Sequence, residues 1–363
     1  MDAAVRATPL ALTGASGRRE SWIESAPFDL AFFSLSPLLV LPLIVLALLV
    51  DARLGIFFFL LSFPHYMSTL SFFLWDEYQD RFRRRWLAFY GGPVLIAAAY
   101  FLLIYTGLPR IMQVVLFAWN IFHVGRQNCG ILSVYRHGAG VTDVSQRNVT
   151  NFAILSTSFW LAFWNVDSHD AFDPLRALRS DWSSWLRVGL GAVVLVALVR
   201  LGLALRRRAR GGQGAQVPEA LFLLTSLALF HPFLWMRSSN AATAVMLLPH
   251  YVQYLGIVWL LHRRRFREAD GSARQHVLSR VSQSTPLLVA LLLSIGAATI
   301  GASVFLRHGG HEVIFESFYI LVALEHFYLD GLFWAFRDPA VRHSFGPYLM
   351  GYDGPASPSR AAA

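Results

Sequence analysis

Lysine is absent: all 31 basic side chains of this 363-residue chain are arginine, which excludes any chemistry that needs a lysine Schiff base, a retinal-binding opsin included. Cysteine is nearly absent. The single Cys129 lies within an apolar run, so no intrachain disulfide can form and the redox compartment is not legible from it. Charge is scarce, at 15% of residues against 55% hydrophobic, and the mean hydropathy is positive. That balance excludes an ordinary soluble domain and points to an all-α, polytopic integral membrane bundle. The formal charge of +9 is not a nucleic-acid signal, because the arginines lie in short clusters between apolar runs. A cleaved leader is not expected either: Arg18-Arg19 is followed by Glu20, Glu24 and Pro27 and not by a short apolar region.

What is present is a series of apolar runs long enough to cross a bilayer core, at 28–50, 54–75, 87–107, 111–135, 149–166, 185–205, 220–236, 241–261, 286–306 and 313–336. They predict about ten transmembrane helices within 28–351, between a cytoplasmic tail at 1–27 and a disordered tail at 352–363. Arginine clusters at 81–85, 206–210 and 263–267, with Arg136, Arg147, Arg337 and Arg342, fall on one side. The positive-inside rule then places both termini in the cytoplasm.

Four of the runs carry a histidine with polar company one helical turn away. Pro64-His65-Tyr66 is followed by Ser68 and Thr69, and Pro249-His250-Tyr251 by Gln253. His123 precedes Arg126 and Gln127, and His326 sits between Glu325 and Asp330. Counted from the arginine-rich ends, His65, His123, His250 and His326 lie 11 to 13 residues in, or roughly 16 to 20 Å, close to mid-membrane. His231, 12 residues from Glu219, reaches a similar depth and is a reserve fifth member. The two Pro-His-Tyr segments, each on the second helix of a four-helix set, suggest parallel repeat units at 28–135 and 220–336.

Imidazole is the commonest protein ligand for iron, copper and zinc, and ionisable groups inside a bilayer mark function by default. The expected site is a metal centre with His65, His123, His250 and His326 as ligands. Thr69, Gln127, Gln253, Asp330 and Glu325 would orient the rings through their second nitrogens, and Arg126 would pair with Asp330 or Glu325. The competing reading of each histidine is hydrogen-bonded glue between helices, worth about 0.6 to 2 kcal/mol. The outer His308 and His311 pair reads as a solvated loop, and the outer stretch 167–187 as an interfacial connection.

Single histidines spread over several membrane helices resemble the Brp/Blh family of β-carotene dioxygenases, integral membrane proteins with histidine-held iron. The resemblance is one of architecture. None of that family's local motifs matches a segment here, so none of its site residues carries over. It implies a non-haem iron oxygenase acting with dioxygen on a membrane lipid or isoprenoid such as a carotenoid, with electron donor and oligomeric state open. The alternate-helix placement is also similar to haem A synthase, whose acidic-histidine loop motif is missing here. It implies a haem-binding electron carrier as an alternative. The segments His250-x-x-Gln253-Tyr254 and His326-Phe327-x-Leu329-Asp330 resemble segments of bacterial membrane proteins and imply a bacterial cell membrane. A transporter with midplane histidines is the third reading.

Overall fold

The computed structural model describes residues 22–49, 55–141, 143–169, 172, 181–267 and 273–349. The expected tails therefore lie outside it, apart from residues 22–27. Among the described residues the chain is entirely helical, with no strand.

Every predicted apolar run coincides with a helix, because in each the backbone must satisfy its own polar groups. In chain order they are α1 (Ser36–Leu49), α2 (Gly55–Leu70), α3 (Leu87–Tyr105), α4 (Pro109–Gly138), α5 (Val144–Ala162), α6 (Trp182–Arg210), α7 (Val217–Ala228), α8 (Ser239–Arg265), α9 (Thr285–His308) and α10 (Glu312–Phe333). Shorter helices at Asp76–Arg84, Ala273–Gln283 and Pro339–Leu349 lie between or after them. Punctuation follows local chemistry. Asp143 caps α5 by accepting from the Ser145 and Gln146 N–H groups, Ser284 caps α9, and Gly107 and Gly310, both at φ 74°, follow the ends of α3 and α9.

Five of these helical stretches are long and apolar enough to cross a membrane: Leu87–Tyr105, Trp182–Arg210, Val217–Trp235, Ser239–Arg265 and Thr285–His308. Their burial separates two roles. The apolar window of α8 is 83% buried, whereas those of α6 and α9 are 17% buried and turn residues such as Val188, Leu195 and Leu293 outward, as lipid-facing helices do. The core is accordingly built around α8, against which α2 packs.

One close helix approach lies beside the site. α9 crosses α2 at Gly296, where a Cβ would stand 2.5 Å from the Leu60 carbonyl oxygen and 2.9 Å from its Cα. Leu60 is four residues before Pro64, so this carbonyl is one whose helical donor the proline removes. Where the arginine clusters gather, Glu219 Oε1 accepts from Arg136 Nε at 2.9 Å and Arg208 Nη1 at 2.5 Å, tying α4, α6 and α7 together in a buried ionic triad.

Candidate metal centre

Helices α2, α4, α8 and α10 each deliver one histidine to a common point. The rings of His65 and His326 are 4.3 Å apart between centroids, His65 and His250 4.9 Å, His123 and His326 5.1 Å, and His123 and His250 5.3 Å. The four thus form a closed ring of imidazoles. All are buried. Both ring nitrogens of His65 and of His250, with Nε2 of His123 and of His326, have no hydrogen-bond partner among the described residues. One nitrogen each from His65, His123 and His326 lie within 4.8 Å of one another. Ligands at about 2.1 Å from one ion lie at most about 4.2 Å apart, so small ring rotations close the set. These three histidines could hold a metal ion. His250 stands beside them, and the two Pro-His-Tyr segments meet here.

On one side of the ring a polar net fixes orientation. Thr69 Oγ1 donates to Asp330 Oδ1 at 2.9 Å and lies 2.8 Å from His326 Nδ1. With the Thr69 proton on the carboxylate, the matching tautomer of His326 donates from Nδ1 and keeps a lone pair on Nε2. Tyr254 donates to Asp330 Oδ1 at 2.6 Å, lies 2.6 Å from Thr69 Oγ1 and accepts from Trp334 Nε1 at 3.3 Å. With Oδ1 so held, Asp330 Oδ2 faces the imidazoles, 3.7 Å from His326 Nε2 and 3.9 Å from His123 Nε2. Those separations suit two donors of one ion as well as an orienting contact, so Asp330 stands closer to the centre than a residue acting through a ring.

Tyrosines and a phenylalanine complete the surround. Tyr66 OH lies 3.3 Å from Tyr251 OH and 3.0 Å from Tyr319 OH, and Phe327 stacks on His123 at 4.6 Å. The tyrosines were not singled out from the sequence as site residues. The signal that could have found them is the tyrosine in each Pro-His-Tyr segment and Tyr254 one turn beyond His250.

Other expected members go elsewhere. His231 is exposed in the break between α7 and Pro232–Trp235, with Nδ1 on the Ala228 carbonyl at 3.0 Å. The proline ends the helix there and turns the ring away from the centre. Arg126 is exposed on the flank of α4 and forms no ion pair with Asp330 or Glu325 among the described residues. The acid expected to hold it is already held by Thr69 and Tyr254. Gln253 donates to the Phe33 carbonyl and Ser36 Oγ, both at 3.1 Å, and so anchors the start of α1 instead of His250. Neither side-chain atom of Gln127 has a partner, and Glu325 is half-buried without an ion pair among the described residues. Thr69 orients a ring as expected, but that of His326 on α10 and not that of His65 on its own helix. Side chains on one face of a helix point into the same interface and meet the neighbour's groups.

Comparison with family models, with curated proteins and with solved structures finds no match to this chain, so the geometry alone carries the functional reading.

Proposed function

We propose that the chain is a membrane-embedded, metal-dependent oxidoreductase whose non-haem iron is held by His65, His123 and His326, with His250 and the Asp330 carboxylate completing the donor set. One observation carries this reading: imidazoles from four helices face one another in a buried interior, with six ring nitrogens unpartnered among the described residues. A buried polar atom left without a partner costs about 1 to 3 kcal/mol, so hydrogen-bonding glue would not leave the nitrogens bare. An ion satisfies them together. A nitrogen-rich set with one carboxylate suits iron, zinc, copper or nickel far better than calcium or magnesium. The buried, aromatic surround favours redox chemistry on an apolar substrate over hydrolysis.

A redox-active ion bound there supplies activation of dioxygen. The chain's own residues prepare the setting: Thr69 fixes the tautomer of His326, Thr69 and Tyr254 aim Asp330, and Tyr66, Tyr251 and Phe327 exclude water. The close contact of neighbouring rings, 4.3 to 5.3 Å between centroids, weighs against a porphyrin inserted between them. The same proposal places the protein in a bacterial cell membrane with ten spans, both termini cytoplasmic, and a membrane-dissolved lipid or isoprenoid as substrate.

The test is elemental analysis and the visible spectrum of protein purified from iron-replete cells. The expected result is one iron per chain and no haem absorption. His65→Ala, His123→Ala and His326→Ala should each lose the ion, while His231→Ala keeps it. Unchanged metal content in all three ligand variants, or no transition metal in the parent protein, would overturn the reading.

A further inference from the structure

On the proposed topology, two charges on the site helices lie within the bilayer without a counter-charge. Arg126 of α4 stands ten residues before Arg136, roughly 15 Å from the cytoplasmic end of its helix, and is exposed on the outer flank. Glu325 of α10 stands twelve residues before Arg337 and is half-buried. Neither side chain has an ion pair or a hydrogen bond among the described residues. At that depth Arg126 cannot extend to the head-group level, so a lipid phosphate is not its acceptor.

The two charges match in depth. The rings of His123 and His326 lie 5.1 Å apart, which sets α4 and α10 at one level there. From that level Arg126 is three residues, about 4.5 Å, towards the cytoplasmic end, and Glu325 one residue, about 1.5 Å, towards the other. An arginine side chain spans the resulting offset of about 6 Å. They also flank one helix. α3 packs against both α4 and α10, with Tyr100 joining Met112 and Leu324 in one apolar cluster. On α10, Glu325 shares an outward row with Ile314 and Phe318, whereas Phe327, about 200° round the axis, is the residue that meets His123. Glu325 therefore faces away from α4. On α4, Arg126 shares an outward row with Val115 and Phe122. Between the rows, α3 turns Leu87, Val94, Leu95 and Leu102 outward.

An apolar face with a basic edge and an acidic edge is complementary to itself, because a twofold rotation about the membrane normal exchanges the edges. We propose that this face is the interface of a homodimer, in which α3 packs against its counterpart and Arg126 of each copy pairs with Glu325 of the partner subunit. Two such ion pairs form by symmetry, and a lone copy leaves all of these charges towards hydrocarbon. A partner of another sequence would need an acid and a base at the same depths and spacing, which a second copy already carries. The inference rests on α4 and α10 crossing the membrane, as in the proposed topology, and not on the metal.

The experiment uses the full chain in lipid nanodiscs, co-expressed as two copies with different affinity tags. Light scattering should find the parent protein dimeric, and each tag should co-purify the other. Arg126→Glu and Glu325→Arg each bring like charges together and should weaken dimerisation at least about tenfold. Co-expressed, the two variants should form a heterodimer, since both cross pairs are again opposite in sign. A role confined to one chain gives no such rescue in trans, and a variant too unstable to purify alone should be recovered with its complement. A monomeric parent, single variants that dimerise as the parent does, or no heterodimer from the mixture would overturn the interface. In a Cys129→Ala background, Arg126→Cys should resist a membrane-impermeant maleimide applied to both faces of the membrane. Rapid labelling would place position 126 in water and sink the crossing itself, whereas a protected position in a monomeric parent would overturn the interface alone.

Discussion

Asp330 combines three properties that no other polar neighbour of the histidines shares. It lies one turn after His326 on the same helix, its Oδ1 is held by two hydroxyls, and its Oδ2 faces the Nε2 atoms of two imidazoles. A carboxylate so placed offsets the charge of a divalent ion in a medium where nothing else can. Asp330→Asn keeps the shape and removes that charge. We expect the variant to fold and its metal affinity to fall about 10- to 100-fold, the range seen when groups supporting metal ligands are altered. Titration of the chelated protein with ferrous ion or its cobalt substitute measures this, and affinity within a factor of two of the parent would reduce Asp330 to a structural hydrogen-bond acceptor. The four histidines were legible in the sequence because few physical reasons place an imidazole in an apolar run, and equal depth is countable from the arginines. The partners were less legible. Helical spacing tells which side chains share a face, but not which neighbouring helix that face meets, so Thr69 was linked to His65 when it serves His326, and Gln253 was given to a ring when it anchors α1. Arg126 shows the opposite error: its depth suggested a buried partner, but its azimuth on α4 points outward.

Helix positions explain how so tight a ring of imidazoles is held. α2 is pinned from behind by α9 at Gly296, whose missing side chain lets the two backbones approach beside a carbonyl that Pro64 leaves without its helical donor. His65 lies one residue beyond that proline, so the packing of α9 bears directly on the position of a ligand. Gly296→Ala would place its Cβ 2.5 Å from the Leu60 oxygen, against about 3.4 Å for an ordinary contact, and so would push α2 inward or α9 outward by roughly 1 Å. Such overpacking costs about 1 to 3 kcal/mol. The expected result is a lower thermal midpoint together with at least about tenfold weaker metal binding. Lost stability with unchanged metal affinity would show instead that the shift is absorbed on the α9 side. Gly296 has no signature in the sequence beyond being a glycine in an apolar helix, since which backbone it touches is a tertiary fact. The helices themselves were legible almost run by run, because each is bounded by prolines, glycines or charge clusters. The buried triad of Arg136, Arg208 and Glu219 was not, for its arginines read equally well as topology markers.

Among the described residues a polar, buried interior is separated from an apolar exterior, and that division bears on why only five helical stretches meet the requirements of a spanning segment. α4 carries Asn120, His123, Gln127 and Asn128, and α10 carries Glu316, Glu325, His326 and Asp330. These two helices deliver His123 and His326, so the polar groups that build the site are the ones that dilute their hydropathy. The more uniformly apolar helices, α3, α6 and α9, are the least buried and form the outer wall. If α2, α4 and α10 spanned only part of the bilayer, their histidines could not meet His250 midway along α8, which is long enough to cross by itself. Convergence of the rings thus argues that all four site helices reach the membrane midplane. On the proposed topology of ten crossings, the 206–219 connection and Ala363 would fall on the same side, and the arginine clusters would make that side the cytoplasm. Alkaline phosphatase and fluorescent reporters fused at residue 212 and at the carboxyl terminus should both report a cytoplasmic position, while a reporter at Gly310, between α9 and α10, should report the outside. A periplasmic signal at either of the first two positions would remove a crossing and put the paired helices in opposite registers. The shared depth of His65, His123, His250 and His326 would then lose its topological basis.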